Sequence, residues 1–153
     1  MTEILISIQP KWCEKIMKLE KRWEMRKTKP KSTLPYRVFI YQTEGGGVIG
    51  EFVCDDIQIV DPTMFRADST VKNWVLNETQ LTEKEATEYA DGKEVYMWRI
   101  RSLIDYPEPK PLSAYGLERP PQSWCYVKGG DPDAGPADQS AGSFGDMPTL
   151  REA

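Results

Sequence analysis

Residues 18 to 27 read KLEKRWEMRK, seven charges set around one tryptophan and one methionine. Lys21, Trp23 and Met25 share one parity while Arg22, Glu24 and Arg26 share the other, which is the two-residue period of a strand. A strand face that is polar throughout either meets bulk water or lines a groove holding something charged. The chain contains no histidine, so the usual general base, triad member and commonest zinc ligand are all missing. Any catalysis must draw on Lys, Glu, Asp, Tyr, Cys or Thr.

The charge distribution sharpens this. Residues 1–40 hold ten lysines and arginines against four acids, a net of +6, and the rest holds ten against twenty, within a chain of net −4. A basic segment in an acidic protein argues against indiscriminate duplex binding, and fits a local anionic site such as phosphate or single-stranded nucleic acid. The bland alternative is a solvated basic face. Cys13, Cys54 and Cys125 are widely spaced with no C-x-x-C, as expected of reduced thiols used in packing. The 153 residues suit one domain with a modest core. No apolar run of membrane-spanning length and no signal-peptide pattern is present, which leads to the expectation of a cytoplasmic protein without membrane contact.

The elements that must position these residues follow from periodicity. ILISIQP (4–10) reads as a buried strand, and residues 11–19 place Trp12, Ile16 and Leu19 at helical spacing with Pro10 at the helix start. Residues 21–26 form a second strand, and KTKPKSTLP (27–35) is a basic turn region. VFIYQ (38–42) and the long run VIGEFVCDDIQIV (48–60) should pair as a hairpin around GGG (45–47), with Gly50 marking a bulge or a close backbone approach. Residues 69–76 suggest a short helix. Thr82-Glu-Lys-Glu85 is a capping box opening another helix that ends near Gly92. EVYMWRIRSL (94–103) alternates as a strand, YPEPKPL (106–112) is extended, and PPQSWCYV (120–127) ends in a short strand. The order predicts an α+β protein on a small, mostly antiparallel sheet of about five or six strands curled into a barrel, with helices capping its ends. Residues 129–153 have too few large apolar side chains to offset their ordering entropy and are expected to be a disordered tail after a domain spanning 1–128.

Five pieces taken in order, ILISIQPKW (4–12), EKRWEMRK (20–27), VFIYQT (38–43), VIGEF (48–52) and PPQSWCYV (120–127), resemble an ASCH domain of the PUA-like superfamily, in its bacterial and phage form. The resemblance covers residues 3–127. It departs at Leu19, where the family often has glycine, so the helix-to-strand turn should differ. The resemblance implies a small β-barrel with a groove beside the first helix that holds RNA or a nucleotide-like ligand, with no cofactor and no metal, in a monomer. The implied contacts are Lys11, Trp12, Lys21, Glu24, Arg26, Gln122, Ser123, Trp124 and Tyr126. Lys21 would touch phosphate or substrate, starting where the chain leaves the helix, since ideal strand parity sets it opposite Glu24. Glu24 would accept from a base edge or orient Lys21 and Arg26.

Three functions are compatible with this. The first is a binding module for RNA or a modified nucleotide. The second is a small hydrolase, because some ASCH-like bacterial proteins are amidohydrolases on acetylated cytidine with a K-x-x-T pair, and ribonuclease activity has been attributed to relatives. Here Lys21 matches the lysine but Glu24 stands where the threonine would be, leaving Lys21 and Glu24 as the candidate catalytic couple. The third is a protein-binding adaptor. The bland reading of Lys21 and Glu24 is an exposed ion pair contributing under about 1 kcal/mol.

Overall fold

The computed structural model describes residues 1–65 and 70–127; the expected tail, 129–153, lies outside them. The described residues form two sheets and three α-helices. Strand β1 (Thr2–Ile8) leads into α1 (Pro10–Met17), then β2 (Trp23–Arg26), β3 (Tyr36–Gln42), β4 (Gly47–Cys54) and β5 (Ile57–Val60). Helices α2 (Thr70–Thr79) and α3 (Glu83–Ala90) follow, then β6 (Val95–Arg99), β7 (Arg101–Lys110) and β8 (Trp124–Tyr126). The larger sheet has the order β7-β4-β3-β1-β8 and the smaller one β2-β6-β5. Pairing is antiparallel except between β1 and β3, which run parallel with Leu5 beside Phe39.

The expected closed barrel of five or six strands is therefore corrected to eight strands in two unclosed sheets. Two runs that look continuous in sequence each divide between the sheets. The run 48–60 breaks at Asp55 and Asp56 into β4 and β5, and the run 94–103 breaks at Ile100 into β6 and β7. The backbone at Asp56 stays bonded to the smaller sheet, its carbonyl accepting from the Arg99 amide at 3.0 Å. Closure is also disfavoured at the larger sheet's edges. β7 carries Pro107 and Pro109, which have no N–H to give a further strand, and β8 has three residues.

The alternation of β1 shows how the core forms. Ile4, Ile6 and Ile8 enter the main core with Met25, Phe52, Met97 and Trp98, contributed by both sheets, while Leu5 joins Phe39, Tyr41, Val48 and Cys125 in a smaller cluster on the other face. Each such fully buried aliphatic side chain contributes about 1.5–3 kcal/mol. Helix α1 starts with Pro10 and buries Trp12, Cys13 and Ile16. It ends in a turn in which the amides of Glu20 and Lys21 both donate to the Lys15 carbonyl, at 2.9 and 3.1 Å, with Leu19 left-handed at φ 64°. The capping box of α3 is present as read from sequence, Glu85 N–H to Thr82 Oγ1 at 3.1 Å and Thr82 N–H to Glu85 Oε1 at 2.8 Å.

Gly50 serves both roles that sequence suggests. The β4–β7 register shifts between Val48 and Gly50, and a Cβ at Gly50 would run into the Ile104 carbonyl and the Met17 methyl. Gly50→Ala should therefore lose about 1–3 kcal/mol of stability by overpacking, read as a lowered midpoint in urea denaturation. Leu19→Gly should gain about 1 kcal/mol, because a 63% exposed leucine in a left-handed conformation loses strain and little packing; an unchanged midpoint would show that the turn is not strained.

Candidate functional site

The turn after α1 carries Lys21 inward just ahead of β2, so Lys21 and Glu24 converge although strand parity alone would separate them. Lys21, Glu24 and Arg26 are each 1% exposed. Lys21 Nζ lies 3.2 Å from Glu24 Oε1 and donates to the Thr79 carbonyl at 2.6 Å. Arg26 grips the other carboxylate oxygen, with Nε at 3.0 Å and Nη2 at 2.5 Å from Glu24 Oε2. Its remaining reach ties the two sheets together: Nη2 donates to the Ser7 carbonyl at 2.9 Å and Nη1 to Ser123 Oγ at 3.0 Å. The Trp12 ring closes over Lys21, with Nζ 4.8 Å from its centroid.

Two cations on one carboxylate leave the cluster with surplus positive charge inside the protein. Glu24 Oε1 is met by the Lys21 ammonium, at 3.2 Å. Burial pushes the Glu24 carboxyl upward, but the Lys21 ammonium and the Arg26 guanidinium outweigh it and hold the group below its ordinary value. Burial dominates at Lys21 and lowers its pKa against the opposing pull of Glu24. Burial, reinforced by the Glu24 carboxylate, raises the Cys13 thiol to about 12, and burial does the same for Cys54 and Cys125. All three thiols are free and buried, so they are poor nucleophiles and act as packing.

The structure thus brings together Trp12, Lys21, Glu24, Arg26 and Ser123. Trp124 is buried against Trp98 and Tyr126, and its Nε1 donates to Thr28 Oγ1 at 2.9 Å. Tyr126 accepts the Lys31 amide through its hydroxyl at 3.1 Å, so both rings are walls rather than exposed platforms. Lys11 stays on the surface, 3.7 Å from Glu85, and Gln122 is exposed. Sequence reasoning missed the carbonyls of Thr79 and Ser7, which no side-chain pattern marks. The polar face of 22–26 is also divided: Glu24 and Arg26 are buried while Arg22 is exposed.

With this geometry in hand, solved structures provide the comparison. The crystal structure of ASCH from Zymomonas mobilis matches with a TM-score of 0.64 at 25% identity, covering 84% of this chain and 89% of that one. The chain has the ASCH fold. A tyrosine-to-phenylalanine mutant of the same ASCH protein matches with a TM-score of 0.70 at 23% identity, over 84% of this chain and 92% of that one. No family profile matches the sequence, and no curated protein matches significantly.

The buried carboxylate gives this domain of ASCH fold an acid-sensitive element. Between the depressed folded value of Glu24 and its ordinary value of 4.5, the unfolded chain binds a proton that the folded one refuses. Its contribution to stability is accordingly complete above that ordinary value and is lost as pH falls through the folded value. Glu24→Gln should cost about 3–5 kcal/mol at neutral pH by leaving two buried cations uncompensated. It should also flatten the fall of Tm with acidification below about pH 4.5 relative to the parent. Equal acid slopes in the two proteins would show that Glu24 does not carry this linkage.

Proposed function

We propose that this ASCH domain binds single-stranded RNA or a nucleotide-like ligand in the groove between α1 and the sheets, with Lys21 and Glu24 as the recognising pair. The observation that carries the reading is the buried Glu24 carboxylate, whose Oε1 is met by the Lys21 ammonium at 3.2 Å while Arg26 holds Oε2, so that two cations share one anion. A ligand that offers both an N–H to Oε1 and an anionic oxygen to Lys21 suits both groups, and a nucleotide carries the two on one molecule. Access requires that the Thr79 carbonyl at the end of α2 give up Lys21 to a ligand oxygen. Lys11, exposed on α1, then supplies a phosphate contact and Gln122 a polar contact at a base edge. Arg26, Ser123, Trp124 and Tyr126 hold the pair and the groove wall in place. Three free thiols suit a reducing compartment, the cytoplasm.

A second reading is hydrolysis, favoured by one observation, the lowered pKa of Lys21 next to Glu24. A lysine that gives up its proton more readily than usual is suited to exchanging one with water, with Glu24 stabilising the ammonium form.

Titrating the protein with single-stranded RNA and with modified nucleosides, with products separated by chromatography in the same samples, distinguishes the two. For a binder, Lys21→Arg should keep affinity to within several-fold and Lys21→Ala should lose about ten-fold or more, with affinity falling as salt rises. For a hydrolase, Lys21→Arg should cut turnover by about 10²-fold or more. Neither binding nor turnover would overturn both readings in favour of a protein-binding adaptor.

A further inference from the structure

Arg22 points outward where its neighbour Lys21 points inward, and it does not stand alone. A cleft of about 590 Å³ is lined by Arg22, Arg99 and Arg101 together with Trp23, Trp74 and Glu78. The three arginines come from two places in the chain. Arg22 follows the α1 turn, while Arg99 and Arg101 flank Ile100, the point where the chain leaves the smaller sheet for the larger. The Ile100 amide donates to the Arg22 carbonyl at 2.8 Å, and this bond holds the two segments side by side. Among the described residues no carboxylate lies within ion-pair distance of Arg22 or Arg99. Arg101 pairs with Asp55 at 2.9 Å, with both side chains substantially exposed, a contact worth little in water.

An apolar groove of about 300 Å³ adjoins this cleft, sharing Trp23 and Trp74 with it and adding Ile59, Val71 and Val75. Ile59, Val71 and Trp74 are 54%, 50% and 41% exposed. Trp74 stands edge-on to buried Trp23 with ring centroids 5.4 Å apart, which fixes its orientation. A basic wall and an apolar wall meeting at a braced tryptophan match the two needs of a single strand, cations along the phosphates and a ring for the bases. The volumes are those of small-ligand pockets.

We propose that this cleft is a second nucleic-acid contact, in which the phosphodiester backbone of a single strand crosses Arg22, Arg99 and Arg101 and one base packs on Trp74. The ligand class is shared with the reading above, but the surface is independent of the buried Lys21 cluster. An acidic polypeptide is the competing occupant, and the apolar wall beside the cations favours the nucleic acid because every base has a face to stack.

The test is fluorescence anisotropy of labelled oligouridylate across a salt series, with the parent, Arg22→Gln/Arg101→Gln, Trp74→Ala and Lys21→Ala, and with polyglutamate as competitor. Thermal melts confirm that the surface variants fold. The double variant should lower the salt slope by about 1.4 and weaken binding at least ten-fold, and Trp74→Ala should weaken it about ten-fold without changing the slope. Unchanged slope and affinity in the double variant, absence of oligouridylate binding by the parent, or equal displacement by polyglutamate would each overturn the cleft. Loss in Lys21→Ala alone would leave the groove reading intact while removing this one; loss in the cleft variants alone would do the reverse.

Discussion

Glu24 holds a full negative charge in the interior, and five segments of the chain arrange themselves around it. Lys21 from the α1 turn and Arg26 from β2 supply the countercharge, and through Arg26 the carboxylate is linked to β1 at Ser7 and to the start of β8 at Ser123. Lys21 extends the link to the end of α2 at Thr79. Because the two sheets share no ladder, this ionic junction is a directional fastening between them, set within an otherwise apolar interior. Hydrophobic burial supplies most of the driving force but little orientation. Paired charges demand a definite geometry, since leaving any one of them unpaired costs several kcal/mol.

That demand gives the site its chemical character. A lone buried pair would be neutral, whereas one carboxylate between two cations leaves surplus positive charge. The same burial also depresses the proton affinity of Lys21, so the two proposed readings, recognition of an anion and exchange of a proton, draw on one physical cause. On the far side of the same turn, Arg22 and its neighbours are hydrated, and their interactions are weaker individually and more sensitive to salt.

Local features were legible in the sequence. The capping box at Thr82 and Glu85, the proline opening α1, and the close approach at Gly50 each involve residues whose own chemistry dictates the conformation. The division into two sheets was not legible, because β4 and β5 are separated by two aspartates and β6 and β7 by one isoleucine, and neither interruption breaks the two-residue period. Lys21 and Glu24 were legible as a pair, yet their depth was not: alternation distinguishes two faces without saying which is covered, and α2 covers this one with a backbone carbonyl. Arg22 lies far in sequence from Arg99 and Arg101, and one hydrogen bond between main chains unites them.

One feature of the larger sheet bears on how the molecule is made. β1 lies between β3 and β8, with Leu5 beside both Phe39 and Cys125. The partners on its outer edge stand 120 positions later, so synthesis, at roughly 5–20 residues per second, separates them by several seconds. Through that interval β1 offers an open, isoleucine-rich edge of the kind that recruits other chains. Completion of the ionic junction waits for the same event, because Ser123 arrives with β8. Among the described strands β8 is made last, so its arrival closes the edge and completes the ionic junction together, coupling escape from aggregation to the fastening of the two sheets.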